Sequence, residues 1–369
     1  MKKKKFNWSG FLTVIIGIGT GILISLALTV TDTITESDSF LTMVLKIMWL
    51  FATFIVATYL QVVIHEGGHL LAGLKSGYHF VSFRIGKMMW MKDENGKLMR
   101  RNFELAGTAG QCIMGPPEYT ADFSTTLYNY GGVIANAISA LLFLILYFLI
   151  PVAAVKMLNF VMMITGLMNA AINGIPMVTS SVANDGHNEK ECRRSERARR
   201  AFWAQLKVTE LMSRGQAADE IPDELFETAP DRDCILINSS YIMRINRFMN
   251  KKDYRKCRKL MEHFLEGDYN VNPYHRQLLQ NDLLYCRIID GEDVSSDYHQ
   301  LAGFFNKMKT ILPVIRTLYS YEKVVMKNET MADNYLRSFE KQAVNYPFPR
   351  DIETERGLIE LADSKVYND

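Results

Sequence analysis

Two histidines and a glutamate stand inside an apolar run, Ile64-His65-Glu66-Gly67-Gly68-His69-Leu70. Ionisable side chains are costly to place in such a run, and where they occur they point to function by default. His65 and His69 are four residues apart, so on a helix both imidazoles lie on one face and converge on one metal ion. Glu66 follows the first histidine directly, placed to act on a water at the metal rather than to ligate. This is the His-Glu-x-x-His pattern of zinc metalloprotease helices. The plain alternative is a pair of histidines hydrogen-bonded within a helix bundle, with Glu66 as an interhelical partner.

Two imidazoles leave a catalytic zinc site one ligand short, since such sites take three protein ligands and keep one position open. The third ligand has to come from another apolar segment, close to the same membrane face. Asn184-Asp185-Gly186-His187-Asn188 offers it. Asp185 is the only carboxylate between Asp122 and Glu189, and His187 is its competitor. Asn-Asp-Gly is also ordinary turn chemistry.

The elements that must carry these residues are membrane spans. Residues 11–30 form a run of 20 without a charge, preceded by Lys2, Lys3, Lys4 and Lys5. Twenty helical residues cover about 30 Å, the thickness of a bilayer core. A cleaved signal peptide has a shorter apolar core, so this segment reads as an anchor. A second apolar stretch covers 40–74, broken by Lys46 and by the His-Glu-His cluster. A third covers 127–150, and Pro151 divides it from a fourth, 152–178. The basic loop residues fall on one side if the N-terminus is cytosolic. Residues 31–39 carry Asp32, Glu36 and Asp38 but no Lys or Arg, whereas 75–126 carry seven Lys or Arg, and a basic run follows the fourth span.

Residues 131–136, Gly-Gly-Val-Ile-Ala-Asn, open the third span. Asn173, Pro176 and Asn184-Asp185-Gly186 mark the end of the fourth. With His65-Glu66-Gly67-Gly68-His69, these motifs in this order on three spans resemble the site-2 protease family of intramembrane zinc metalloproteases. The resemblance covers about residues 40–190. It implies zinc on His65, His69 and Asp185, Glu66 as the general base that later protonates the leaving amine, and Asn136 as a catalytic residue that helps to bind the substrate backbone. The Asn173-to-Asp185 gap is longer than the family's, and a second proline is missing. Gly67 and Gly68 leave room for a substrate strand beside the metal, or else serve close helix packing.

Within 78–126, Val81, Phe83 and Ile85 alternate with Ser82, Arg84 and Gly86, a strand pattern. Asn95-Gly96 is a hairpin turn signal, with 97–105 as the return strand. Such a hairpin would hold substrate as an added strand. The alternative is an interfacial loop anchored by Met88, Met89, Trp90 and Met91. Residues 107–117 read as an irregular loop, a lid or a passive connector.

The first 189 residues contain 13 Lys/Arg and 11 Asp/Glu, and the remaining 180 contain 29 of each. A balanced second half argues against nucleic-acid binding, which needs a basic excess. Five widely spaced cysteines, an odd number, imply no disulfide framework, and there is no Cys-x-x-Cys zinc or redox pair. Helices are expected over 195–214, 234–249, 254–265, 273–289, 298–311, 315–326 and 332–344, with turns spaced by about 37–40 residues, the mark of paired-helix repeats. Residues 241–266 resemble a tetratricopeptide hairpin that lacks the consensus Gly and Ala, and a generic helical bundle is the equal alternative. Stacked helix pairs bind peptides or partner proteins.

The fold expected is therefore mainly α: a polytopic membrane protein of four transmembrane helices with a cytosolic β-hairpin insert, followed by a helical, repeat-like cytosolic domain. The expected divisions are 1–39, 40–189 and 190–369. The function expected is zinc-dependent endopeptidase action at the cell membrane on a membrane-spanning or membrane-bound peptide. A cytosolic protein or peptide partner would bind through 195–369, and no nucleic acid is involved. Two other classes compete: a non-proteolytic scaffold or receptor with a structural zinc clasp, and a metal transporter. The intact Glu66 favours the enzyme, and the lack of a chain of polar residues across the other spans disfavours the transporter. A reporter fused after Ser39 should read as external; a cytosolic signal would overturn the orientation.

Overall fold

The computed structural model describes residue 21 and residues 37–93, 95–103, 108–178 and 183–366. The expected first span, 11–30, and the basic tail before it lie outside the described residues apart from Gly21. The chain is mainly helical, with a four-stranded antiparallel sheet. It divides into two compact units.

The first unit takes in residues 1–77, 108–112 and 124–190. Among the described residues, three helices are long and apolar enough to cross a membrane: α1 (Phe40–Lys75), α2 (Thr126–Leu149) and α3 (Ala153–Gly174). They match the second, third and fourth expected spans to within a few residues. Ser39 starts α1 by accepting a hydrogen bond from Thr42 N. The early charge in that helix, Lys46, is neutralised by Asp38, whose carboxylate oxygens lie 2.7 and 2.8 Å away. Leu50 and Ala57 of α1 pack against Met157, Val161 and Met162 of α3. Large apolar side chains such as Phe40, Ile55, Ile138 and Phe148 point outward, as lipid-facing residues do. With 36 residues, α1 is about 54 Å long at 1.5 Å per residue. His65 sits some 25 residues along it, well past the middle.

The α1–α2 contact depends on glycine. A Cβ on Gly68 would run into Gly131 O and come within 2.6 Å of Ala135 Cβ, and one on Gly131 would come within 2.6 Å of Ala72 Cβ. A Cβ on Gly67 would meet nothing within 4 Å. Of the two readings for this pair, close packing therefore accounts for Gly68, and only Gly67 leaves open space.

Pro151 ends α2 and Pro176 follows the end of α3. Helix α4 (Asp185–Arg194) begins after a short excursion. The plain alternative for Asn184-Asp185-Gly186 is a turn. The segment is a helix start, with Asn184 Oδ1 accepting from His187 N at 2.9 Å, an acid in the first turn, and Arg193 and Arg194 in the last.

The second unit takes in 78–107, 113–123 and 191–369. The insert between α1 and α2 thus contributes mostly to the unit that holds the charged half. Its strands are β1 (His79–Ile85), β2 (Met88–Lys92), β3 (Leu98–Asn102) and β4 (Gly110–Gly115), in the order β3-β2-β1-β4. Asn95-Gly96 turns the β2–β3 hairpin, with Gly96 at φ 77° and Asp93 Oδ1 accepting from Asn95 N and Lys97 N. Met88, Met89, Trp90 and Met91 are strand residues of β2 rather than an interfacial loop. Residues 110–115 correct the expectation of an irregular loop: they form edge strand β4, which no alternation of Gly-Gln-Cys-Ile-Met-Gly announces. Val81 and Ile85 are buried as the alternation requires, but Ser82 and Arg84 are buried as well, so both faces of β1 are covered.

The sheet is tied to the helices of its own unit. His79 Nε2 lies 2.6 Å from Glu210 Oε1, Trp203 Nε1 donates to Pro117 O at 2.8 Å, and Arg101 Nη1 donates to Val344 O and Tyr346 O. The helices are α5 (Glu196–Ser213), α6 (Ile235–Asn250), α7 (Tyr254–Glu266), α8 (Pro273–Ile289), α9 (Ser295–Lys307), α10 (Leu312–Ser320, continued by a π turn over Tyr321–Val325), α11 (Glu329–Ala343) and α12 (Pro349–Val366). Helices begin at 196, 235, 273, 312 and 349, at intervals of 39, 38, 39 and 37 residues. Four of these helices end on a residue with positive φ one place past the cap: Gly215, Lys252, Gly291 and Lys327. That left-handed residue closes the helix and turns the chain into its partner.

The glycine contrast gives a direct check. Gly68→Ala should lower stability by about 1–3 kcal/mol, the usual range for overpacking, seen as a lower melting midpoint in detergent. Gly67→Ala should leave the midpoint near that of the wild type or slightly above it. Equal effects would contradict the packing account.

Candidate metal centre

The centre lies wholly in the first unit. It is built from the C-terminal part of α1, the N-terminal half of α2, and the junction of α3 with α4. His65 and His69, one turn apart on α1, place their Nε2 atoms 3.1 Å from each other. Asp185 Oδ2 stands 3.1 Å from His65 Nε2 and 3.3 Å from His69 Nε2. Among the described residues this is the one group of three such donors that converges. His187 is not part of it, so of the two competitors the structure brings Asp185 to the histidines.

The proton positions follow from the outer partners. Asn136 Nδ2 donates to the backbone carbonyl of Gln61 at 3.0 Å and to Gln61 Oε1 at 2.8 Å. Backbone carbonyls only accept, so the orientation of the Asn136 amide is fixed. Its Oδ1 then faces His65 Nδ1 at 2.7 Å and must accept from it. His69 Nδ1 faces the carbonyl of Tyr128 at 2.8 Å and must donate. In the neutral imidazoles both Nε2 atoms are therefore bare lone pairs. They point at one another and at a carboxylate oxygen. Burial disfavours the Asp185 anion, but a proton carried on a facing Nε2 of His65 or His69 outweighs it and holds its pKa down at about 2.

With both imidazoles neutral these three donors face one another, and a shared proton or a metal ion would relieve their repulsion. Zinc at about 2.0–2.1 Å from each, with tetrahedral angles, sets its ligands about 3.3 Å apart. The observed 3.1–3.3 Å spacing and the donor set of two imidazoles and one carboxylate fit that ion. The outer hydrogen bonds to Nδ1 are the kind that orient metal-ligating histidines.

Each ligand is held from several sides. Gln61, fully buried and one turn before His65, donates to Ser139 Oγ of α2 and to Met162 O of α3. It therefore joins all three membrane helices beside the site. Gly132 gives the His65 ring its place, since a Cβ there would lie 2.5 Å from His65 Cε1. Tyr128 serves twice: its carbonyl holds His69, and its hydroxyl donates to Cys112 O at the start of β4.

Asp185 is delivered by its neighbours. Asn184 Nδ2 donates to Ile172 O and Ile175 O at the end of α3, while its Oδ1 accepts from Met177 N. Val178 and Ala183 pair as an antiparallel bridge. These contacts bring the chain back to the end of α3 before Asp185. Gly186 lets α4 approach that end, since a Cβ there would strike Gly174 O. One turn further along α4, the fully buried Glu189 accepts from Thr125 Oγ1, Thr126 Oγ1 and Asn129 Nδ2 at 2.7, 2.5 and 3.0 Å. Asp185 and Glu189 lie on one face of α4, one toward the histidines and one fastened to the start of α2.

Glu66 is buried next to the triad but outside it. Gly110, the first residue of β4, lies against it, and a Cβ at 110 would sit 2.5 Å from Glu66 Oε1. Sequence reasoning singled out His65, Glu66, His69, Asp185 and Asn136. It missed Gln61, Tyr128, Glu189 and Gly110. Gln61 carried a signal, a polar residue in a span exactly one turn before a ligand, and Glu189 lies at i+4 from Asp185.

Zinc titration separates ligands from their supports. Asn136→Leu should weaken zinc binding by about 10–100-fold, and Asp185→Ala should weaken it further. His187→Ala should leave it nearly unchanged. Tight binding in Asp185→Ala together with loss in His187→Ala would overturn the ligand set.

Comparisons with protein-family models, with curated proteins and with solved structures find no match to this chain.

Proposed function

We propose that this chain is a zinc-dependent intramembrane endopeptidase, with both termini cytosolic, that cleaves a membrane-spanning or membrane-bound peptide. The observation that carries this reading is a buried carboxylate, Glu66, beside three converging donors near one end of a helix long and apolar enough to cross a membrane. A purely structural clasp has no use for Glu66.

His65, His69 and Asp185 hold the ion. When bound, zinc supplies a Lewis acid that makes water more acidic and polarises a carbonyl. Glu66 takes a proton from the attacking water and returns it to the amine as the peptide C–N bond breaks. Asn136 acts as a positioning residue in this reading. It is fully buried, with Nδ2 on Gln61 and Oδ1 on His65, which supports a role in orienting His65 rather than in touching the substrate backbone.

Cleavage requires an extended substrate, because a helix hides its peptide bonds in its own hydrogen bonds. An edge strand can hold one by main-chain pairing. Strand β4 is an edge of the sheet, and its first residue packs on Glu66. These two facts favour β4 over the β2–β3 hairpin as the strand that aligns substrate. The absence of a side chain at Gly110 keeps the carboxylate where it is needed.

Glu66→Gln should retain stoichiometric zinc and lose cleavage of a model membrane peptide by about a hundredfold to ten-thousandfold, the range for removal of a general base. Zinc content and turnover are measured on the same purified sample. Normal turnover by this variant would end the protease reading.

A further inference from the structure

The helical half contains a cavity that the metal chemistry does not use. It has a volume of about 540 Å³ and lies between α7, α8 and α12, within the usual size range of ligand pockets. Arg255, Arg258 and Lys259 of α7 and Lys365 of α12 line it, against only two carboxylates, Glu262 and Asp290. Residues 190–369 as a whole carry equal numbers of acids and bases, so this excess is local. Arg255 and Lys259 are one turn apart on α7 and both are exposed.

The four cations are not equivalent. Arg258 is already engaged: its guanidinium lies 3.0 Å from Glu262 Oε1, 2.5 Å from Asp290 Oδ2 and 2.6 Å from Glu292 Oε1. No carboxylate of the described residues pairs with Arg255, Lys259 or Lys365. Three unneutralised cations from two helices therefore border one cavity. Its remaining wall is apolar: Tyr254, Ile289 and Leu361 line it, over the nearly fully buried Tyr285 and Cys286.

We propose that this cavity binds an acidic peptide segment in which carboxylates flank an aliphatic or aromatic side chain. The carboxylates meet Arg255, Lys259 and Lys365, and the apolar side chain enters between Tyr254, Ile289 and Leu361. The apolar wall of Tyr254, Ile289 and Leu361 suits a peptide side chain, which an inorganic phosphate lacks. The balance of acids and bases over residues 190–369 as a whole disfavours a nucleic acid. This inference does not rest on the protease reading, since the cavity and the metal centre share no residue.

The test uses the full chain in detergent micelles and fluorescence anisotropy. The probe is a fluorescein-labelled hexapeptide alternating glutamate with leucine, and the control alternates glutamine with leucine. The glutamate probe should bind at least about tenfold more tightly than the control and should weaken with added salt. Arg255→Glu combined with Lys259→Glu should weaken the probe by about tenfold or more, and so should Lys365→Glu alone, with the helical circular dichroism unchanged. If the double variant loses helix, Lys365→Glu carries the test by itself. Equal binding of probe and control, or unaltered binding to folded variants, overturns the proposal. Displacement of the probe by millimolar inorganic phosphate or glycerol phosphate, but not by unlabelled glutamate peptide, overturns it in favour of a phosphate site.

Discussion

The Nε2 atoms of His65 and His69 and the Oδ2 atom of Asp185 lie 3.1–3.3 Å apart, although each presents electron density to the others. Left alone, such a group would separate. It stays together because each member is bound from behind by partners that cannot switch roles. Backbone carbonyls fix the direction of the hydrogen bonds to both imidazoles, through Asn136 for His65 and directly for His69. The convergence is therefore imposed from outside, and the energy that holds it comes from the helices around it. This explains why so many of the surrounding contacts involve glycine or a buried amide: α1 and α2 must approach almost backbone to backbone at Gly68 and Gly131 for the geometry to close.

The helical half follows a different logic. Its stability is distributed over three apolar clusters, one shared by α6, α7, α8 and, through Leu358, α12, another by α8, α9 and α10, and a third by α10, α11 and α12. Helix α12 thus packs on the first of these clusters as well as on the last. The left-handed residue that ends the first helix of a pair is Gly at 215 and 291 but Lys at 252 and 327. A lysine there carries a backbone cost that glycine does not, so two of the turns are held by the packing around them rather than by local preference.

Much of this organisation was legible in the residues. Long apolar runs gave α1, α2 and α3 almost to their ends, because a bilayer-length helix has no competing pattern. The i, i+4 histidines gave two members of the converging group, and the scarcity of acids near the fourth expected span gave the third. Asn95-Gly96 gave the hairpin, because few residues accept its φ. What could not be read has physical causes too. Strand β4 lacks alternation, and the Gly110 and Gly115-Pro116-Pro117 that bound it read as an irregular loop; it forms where β1 offers it an edge. Helix α4 was obscured because Asn-Asp-Gly suits a turn and a helix start equally, and its choice is decided by the carbonyls at the end of α3. Helix α12 was overlooked although Pro349 at its first turn and the repeat interval both announced it. Gln61 and Glu189 show their roles only when three helices are brought side by side.

The bridge between Val178 and Ala183, with Asn184 bonded to Met177 on its inner side, separates two properties that usually vary together. The length of chain between the fourth expected span and the ligand-bearing helix no longer sets the position of the ligand. The free energy of closing a loop depends only weakly on the number of residues in it. The number of residues between Asn173 and Asp185 is therefore a poor guide to where the carboxylate stands relative to the two histidines.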